Sequence, residues 1–274
     1  MTRRNAETNR GAPDDLPPFS GFDPQQVPSP AFVVDRTAVQ RNLDILRTTA
    51  DRAEARVLLA LKAVALPAVF GLIGRYLDGA CASGPYEARL AREELGACAD
   101  RPWQVHTFAP AYTKDDLRYL RTVSDHVTFN SLKQYVRLIT DDEVGETALG
   151  TAYGLRINPE CSLTEPAIYD PCAPYSRLGI TRDELNRQIA EIAGTSTSAG
   201  IGRALRGISG LHFHTLCEDD SYALEKTLIA VDSRFGDILA RPEIRWLNIG
   251  GGHHITRPDY NRDHLVELIR ETRR

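Results

Sequence analysis

The chain has 274 residues, and 33 lysines and arginines against 37 acidic residues leave a formal net charge of −4 at pH 7. This balance argues against a nucleic-acid partner that depends on overall positive charge. No apolar run approaches the roughly 20 residues of a membrane-spanning helix, and the polar N-terminus lacks the apolar core of a signal peptide. Five cysteines without metal-ligand spacing favour free thiols in a reducing compartment, so we expect a cytoplasmic protein.

Residues 1–27 are polar and rich in proline and glycine, which predicts a flexible leader before a domain that spans residues 28–274. Within that domain, short apolar runs alternate with stretches of helical periodicity. Seven strand–helix units follow from Val57, and their predicted strands lie near 57–62, 78–83, 104–109, 126–130, 153–158, 208–215 and 246–250. The predicted helices lie near 65–76, 84–96, 113–122, 131–140, 182–194 and 219–235, with one more at the C-terminus. This alternation predicts βαβ units and a parallel sheet.

Two α/β architectures fit this rhythm, a (β/α)₈ barrel and a doubly wound open sheet. Polar or glycine residues lie at or near the C-terminal end of every predicted strand, namely Lys62, Ser83, His106, Asn130, Arg156, His214 and Gly250. Barrel active sites are built on that face, whereas a doubly wound sheet concentrates its chemistry at one switch point. We therefore expect a TIM-type barrel.

Lys62 ends the most apolar strand of the chain. Alternation places Leu58, Ala60 and Lys62 on one face, which we expect to point into the barrel. Burial there lowers the pKa of a lysine, and a partly neutral amine is what a Schiff base with a carbonyl compound or pyridoxal 5′-phosphate (PLP) requires. The alternative is a lysine that reaches from a strand end to water or pairs with an acid.

A strand at Trp246 runs directly into Gly250, Gly251 and Gly252. Backbone without Cβ atoms can approach a phosphate closely and offer its N–H groups. The triplet therefore indicates an anion site, and the alternative is a tight strand–helix turn.

Four histidines lie at the ends of two neighbouring predicted strands. His212 and His214 share one strand face, and His253 and His254 follow the glycines. His-x-His on a strand can chelate a metal, so a metal-dependent barrel hydrolase that uses His212, His214 and His253 is a second hypothesis. The alternatives are an imidazole stacked on a cofactor ring and histidines hydrogen-bonded at a loop base.

Charged residues mark two further positions. Arg156 lies between apolar neighbours, where an arginine needs an anionic or phenolate partner or a structural ion pair. Glu218, Asp219 and Asp220 crowd the end of the His214 strand, where acids either receive a cationic substrate or favour the N-terminus of the next helix. We expect the helix role for Asp219 and Asp220.

Taken together, these segments resemble the fold-type III PLP-dependent decarboxylases, and among them the carboxynorspermidine/carboxyspermidine decarboxylases. The matching segments span about residues 28–260, and they are 60–63, 82–83, 86–90, 108–112, 129–131, 154–159, 169–174, 176–179, 210–218 and 248–257. The strings Leu-His-Phe-His-Thr-Leu-Cys-Glu and Gly-Gly-Gly-His-His-Ile-Thr-Arg distinguish this group from the ornithine, arginine and diaminopimelate decarboxylases.

The resemblance implies a PLP-dependent decarboxylation of a carboxylated triamine in polyamine biosynthesis, carried out by a homodimer. It implies that Lys62 binds the cofactor covalently and that His214 stacks on its ring. It places Arg156 near the cofactor, the phosphate on residues 250–252, and the substrate near Glu218 and His254.

The family pattern continues past the end of this chain. An eighth barrel strand with an acid that pairs with the pyridinium nitrogen would follow, and then a β-domain with a catalytic cysteine and aspartate. We therefore expect an incomplete barrel, and an inactive PLP-binding fragment is a third hypothesis.

Overall fold

The computed structural model describes residues 19–139, 149–164, 166–195 and 197–273. Residues 1–18 of the predicted leader and residue 140 of the predicted helix 131–140 lie outside the described residues. In the rest of the leader, Pro24–Gln26 forms a short 3₁₀ helix, and the carboxylate of Asp23 accepts a hydrogen bond from Gln25 N at its start.

Seven strands form one parallel sheet. They are β1 (Leu58–Ala60), β2 (Gly79–Ala82), β3 (Gln104–Phe108), β4 (His126–Phe129), β5 (Ala152–Arg156), β6 (Ile208–His212) and β7 (Trp246–Asn248). Each strand pairs with the next one along the chain, in the order β1 to β7. A doubly wound sheet reverses its strand order at a switch point, so that alternative is wrong. The predicted α/β class and parallel sheet are confirmed, and the seven strands form a half-barrel.

Nine α-helices lie within the described ranges. They are α1 (Arg36–Ala53), α2 (Phe70–Tyr76), α3 (Pro85–Leu90), α4 (Lys114–Val123), α5 (Leu132–Leu138), α6 (Arg182–Ala193), α7 (Ser198–Ala204), α8 (Ser221–Leu239) and α9 (Arg262–Thr272). Side-chain caps fix several starts. At α4 the hydroxyl of Thr113 accepts from Asp116 N while the carboxylate of Asp116 accepts from Thr113 N. In these described ranges, no helix has the length and apolar character needed to cross a membrane.

The two faces of the sheet carry different side chains. Val105, Val127, Leu155 and Leu211 point to the helix layer and are fully buried. The opposite face carries the row Ala60, Cys81, His106 and His126, which stand side by side in register. The predicted strand alternation therefore separates an apolar core from a polar interior.

Trp246 covers the floor of this interior. A Cβ added at Gly154 or Gly210 would lie 2.3 Å and 2.0 Å from its indole, so both positions require glycine. The indole ring also meets the edge of His126 at 5.0 Å between centroids. Its Nε1 donates a hydrogen bond to the hydroxyl of Ser209 at 3.2 Å.

A cavity of about 710 Å³ separates β1 from β7. Its wall includes Leu58 of β1, the strand β7, and residues 250–252. On its outer side α1 and α9 are joined by an ion pair between Arg52 and Asp263 at 2.7 Å. The two edge strands thus face each other across a gap within the described structure.

Candidate functional site

Lys62 lies two residues beyond the end of β1, in a turn, and its side chain is exposed. The predicted burial of this lysine is therefore wrong, because the strand ends early and leaves the amine open to solvent. Its charge nevertheless acts on two groups of the interior. Burial lowers the pKa of His214 to about 4 and Lys62 adds to that shift, whereas burial raises the pKa of Cys81 to about 11 and Lys62 partly opposes it. Lys62 thus stands at the mouth of the polar interior, beside the imidazole that the sequence singled out.

His214 lies two residues beyond β6 and contacts the glycine triplet directly. Its Nδ1 accepts a hydrogen bond from Gly251 N at 3.1 Å. Burial, and then the charges of Lys62 and Arg156, lower the pKa of His214 to about 4. The ring is therefore neutral at pH 7, and because Nδ1 is an acceptor, the proton resides on Nε2.

The three glycines are required for different reasons. Gly250 and Gly252 have φ values of 74° and 90°, and a Cβ there would lie 2.5 Å from the carbonyl of Phe213 and 2.1 Å from that of Leu216. A Cβ at Gly251 would meet nothing within 4 Å, so its outer side is open space. Close backbone packing thus explains two of the glycines, and room for a ligand is compatible with the third.

The amides of the triplet are partly used within the loop. Gly250 N donates to the side-chain oxygen of Asn248 at 2.9 Å, and Gly251 N donates to His214. A phosphate at this loop would therefore have to rely on the remaining backbone or displace one of these bonds. Because two of the three glycine N–H groups already have acceptors, the triplet offers a phosphate fewer free donors than its sequence suggests.

Arg156 ends β5 and is only 5% exposed. Its guanidinium carbon lies 4.6 Å from the ring centroid of Phe108, and Nη2 donates a long bond of 3.4 Å to the carbonyl of His214. Its Nε has no hydrogen-bond partner, and no carboxylate pairs with it in the described part of the chain. Burial lowers the pKa of Arg156 to about 10. A buried cation left in this state is a strong attractor for an anion.

The metal alternative does not fit. No group of three or more histidine, cysteine or acidic side chains that could hold a metal ion is found in residues 19–139, 149–164, 166–195 and 197–273. His212 stands edge-on to Phe108, and its Nδ1 is buried without a partner. The Nδ1 of His253 instead lies 2.9 Å from the hydroxyl of Tyr260. Nδ1 of His214 and Nδ1 of His253 are thus each occupied by a different neighbour, Gly251 N and Tyr260, which does not leave the three imidazoles arranged as a ligand set.

The acidic run after β6 divides into distinct roles. Asp220 caps α8, because its carboxylate accepts from Tyr222 N and Ala223 N. Asp219 does not cap α8 in this way, because its carboxylate accepts from Thr164 Oγ1 and Cys217 N, and its backbone pairs with the glycine loop at His253. Glu218 is exposed and has a φ of 59°, which is rare for a residue other than glycine.

The floor below the site was not predicted. The rings of His106 and His126 stack at 3.9 Å between centroids, and each has a buried Nδ1 without a partner. Burial lowers the pKa of His126 to about 4 and holds that of His106 well below its usual value. Their in-register positions on neighbouring strands were the available signal.

Asn130 is a second residue whose role needed the structure. Its side chain accepts from Gly179 N at 2.7 Å and donates to the carbonyl of Arg177 at 2.8 Å. It thereby fastens the long loop after β5 to the end of β4, beside Arg156.

The described strands run parallel in chain order, with a lysine just after the first and a glycine loop just after the seventh, and solved decarboxylases share this fold. A solved diaminopimelate decarboxylase from Helicobacter pylori has this fold, with a TM-score of 0.59 and 15% identity over 84% of this chain and 58% of its own. No family model matches the chain.

More similar proteins are found at 30–41% sequence identity. A carboxyaminopropylagmatine decarboxylase from Synechocystis is 41% identical over 89% of this chain. A carboxynorspermidine/carboxyspermidine decarboxylase from Campylobacter jejuni is 32% identical over 90% of it. A crystal structure of carboxynorspermidine decarboxylase with norspermidine, from the same organism, has a TM-score of 0.71 at 31% identity and covers 89% of this chain. The resemblance expected from the motifs is confirmed.

The chain spans 56% and 57% of the length of these two sequence relatives, and 56% of the solved structure. The similarity therefore concerns a little over half of each of these longer proteins.

Proposed function

We propose that the chain provides the PLP-binding barrel of a decarboxylase that acts on a carboxylated polyamine. The observation that carries the proposal is the buried Arg156 guanidinium, which lacks a carboxylate partner in the described structure and lies against His214. An anionic ligand in front of this residue would relieve the cost of the unpaired charge. Lys62, at the mouth of the same interior, supplies the amine that PLP requires.

The residues fit the cofactor. Lys62 would bind its aldehyde, Arg156 would balance an anionic oxygen, and residues 250–252 would lie against the phosphate, with open space outside Gly251. When bound, PLP supplies a ring that accepts the electron pair left behind as the α-carboxylate departs as CO₂.

His214 contributes a neutral surface to this site. Because its Nδ1 is held by Gly251 N, the ring keeps one orientation and one tautomer. A neutral ring adds no positive charge beside Lys62 and Arg156, so it can lie against a flat cofactor without competing for its anionic groups.

The substrate would be a triamine with one carboxylate, and its cationic end would need acids. Glu218 projects from a strained corner at the site mouth, and His254 follows the glycine loop. The relatives are named for an amine-ended and a guanidine-ended substrate. We propose the shared class, a carboxylated polyamine, with Glu218 and His254 as its contacts.

The test is reduction of the PLP-loaded chain with borohydride, followed by peptide mapping. A pyridoxyl group on Lys62, absent in Lys62→Ala and retained in the matched control Lys114→Ala, is expected. A map in which Lys62 is unmodified while the protein retains PLP would contradict the proposal.

We further propose that the barrel domain spans residues 28–274 and is incomplete, with an eighth strand expected between β1 and β7. The support is the cavity of about 710 Å³ that both edge strands line. Closure would protect the amides of Leu58–Ala60 and Trp246–Asn248 from hydrogen exchange, and rapid exchange in the active enzyme would contradict it.

The same enzyme is proposed to be a cytoplasmic homodimer. All five cysteines are free, which suits a reducing compartment, and light scattering would test the dimer.

A further inference from the structure

Asp219 lies where three loops of the site meet. Its Oδ2 accepts hydrogen bonds from Thr164 Oγ1 at 3.0 Å and from Cys217 N at 3.2 Å. Its backbone N–H donates to the carbonyl of Gly252 at 2.9 Å, and its carbonyl accepts from His254 N at 3.2 Å. A single residue therefore joins the segment after β5, the corner after β6 and the glycine loop after β7.

The first consequence concerns the corner. Glu218 stands between Cys217 and Asp219 in the left-handed region, at a φ of 59°. Because the carboxylate of Asp219 holds the N–H of Cys217 across the corner, both neighbours of Glu218 are fixed. An L residue rarely keeps this conformation unless its surroundings impose it.

The second consequence concerns the anchor. Thr164 is only 6% exposed, and its hydroxyl also lies 3.3 Å from the carbonyl of Thr215. The hydroxyl of Ser162 donates to the same carbonyl at 2.7 Å. The carboxylate of Asp219 is thus tied to a buried polar segment and not to a mobile surface group.

We propose that Asp219 is a positioning residue that sets Glu218 and His254 at the mouth of the site for the cationic end of the substrate. This inference rests on the proposed function, in which those two residues contact the polyamine. Asp219 itself acts through the hydrogen bonds of its Oδ2 and its backbone. Its negative charge does not contact or attract the substrate directly.

The geometry allows charge and position to be separated. Both side-chain donors converge on the same oxygen, Oδ2, so the amide oxygen of an asparagine can replace it with both bonds intact. Asp219→Asn removes the charge and keeps the tie, whereas Asp219→Ala removes both. Thr164→Val removes one donor and leaves every acid in place.

The experiment titrates the PLP-loaded chain with norspermidine and, in parallel, with aminopropylagmatine by calorimetry. Asp219→Ala is expected to weaken the better ligand about tenfold, Thr164→Val by a smaller factor, and Asp219→Asn by less than about threefold. The pyridoxyl modification of Lys62 is expected to persist in all three variants. An Asp219→Asn variant as weak as Asp219→Ala would overturn the inference, because charge would then be the cause.

A double-variant cycle adds a readout that general loss of stability does not move. If Asp219 acts through Glu218, removing Asp219 matters little once Glu218 has been changed. The double variant Glu218→Gln/Asp219→Ala should then bind the polyamine within about threefold of Glu218→Gln alone. Fully additive losses would contradict the inference.

Hydrogen exchange of the peptide 215–220 separates this inference from the proposed function. Asp219→Ala is expected to accelerate exchange at Cys217, and Asp219→Asn is expected not to. Unchanged exchange in Asp219→Ala overturns the positioning role, whereas a wild-type chain that leaves Lys62 unmodified by PLP overturns the proposed function instead.

Discussion

His126→Gln removes one titrating imidazole from the floor of the interior. In the folded chain burial lowers the pKa of His126 to about 4, although the nearby Asp125 carboxylate opposes the shift. The unfolded chain has the ordinary value of about 6.5. Between these two values the unfolded state binds more protons, so the stability of the wild-type chain falls as the pH falls from 6.5 towards 4.

The size of the effect follows from the two pKa values. Their difference corresponds to about 3.4 kcal/mol of unfolding free energy once the pH lies below both. Between pH 7.0 and pH 5.5 the same linkage gives about 1.2 kcal/mol for this single residue. The wild-type chain should therefore lose about 1.2 kcal/mol more than His126→Gln over this interval.

Urea unfolding of the cofactor-free chain at the two pH values, followed by tryptophan fluorescence, measures the difference. His214 and His253, whose pKa values burial also lowers to about 4, titrate in both proteins and cancel. Ser209→Ala is the control, because it removes a neutral partner of Trp246 and should cost the same at both pH values. Equal losses in wild type and His126→Gln would refute the buried, neutral floor.

Two further predictions concern the glycines and the arginine. Gly210→Ala places a Cβ 2.0 Å from the indole of Trp246, so it should lower the unfolding free energy by about 3 kcal/mol. Gly251→Ala has open space around its Cβ and should change the unfolding free energy by less than about 0.5 kcal/mol. Urea titrations measure both values. Arg156→Met should stabilise the cofactor-free chain by about 2 kcal/mol and weaken PLP binding at least tenfold. A lower melting temperature, or unchanged affinity for PLP by fluorescence quenching, would count against an unpaired Arg156.

The order of the elements was readable because it depends on local patterns. Apolar runs and helical periodicity predicted all seven strands, and parallel pairing then places Lys62, Arg156 and His214 at one edge. The helix α7 was missed because its sequence, Ser198–Ala204, contains two glycines and so has low helical propensity.

The site's finer features depend on contacts between distant segments. Alternation assigned the face of Lys62, but its exposure depends on β1 ending at Ala60, which leaves Lys62 in a turn. Asp219 and Asp220 are indistinguishable in sequence, and Thr164, which lies 55 residues away, gives them different roles. The histidines likewise suggested a metal until the structure showed His214 bonded to Gly251 N and His253 to Tyr260.

Burial gives the site its charge selectivity. Desolvation, which is the first cause in each case, holds the pKa values of His212, His214 and His253 below the physiological range, so these imidazoles carry no charge at pH 7. Around them Lys62 and Arg156 remain as positive groups, which favours an anionic ligand in the interior.

A polyamine carries the opposite charge, so its cationic end is disfavoured beside those two groups and favoured at the acidic corner after β6. The proposed substrate, with one carboxylate and several amines, matches this division: its carboxylate end would enter beside the cations and its amines would remain at the mouth. Reversing the charge at this corner with Glu218→Lys should therefore weaken polyamine binding without altering the covalent attachment of PLP to Lys62. Loss of both together would mean that the corner and the interior are not electrostatically separate.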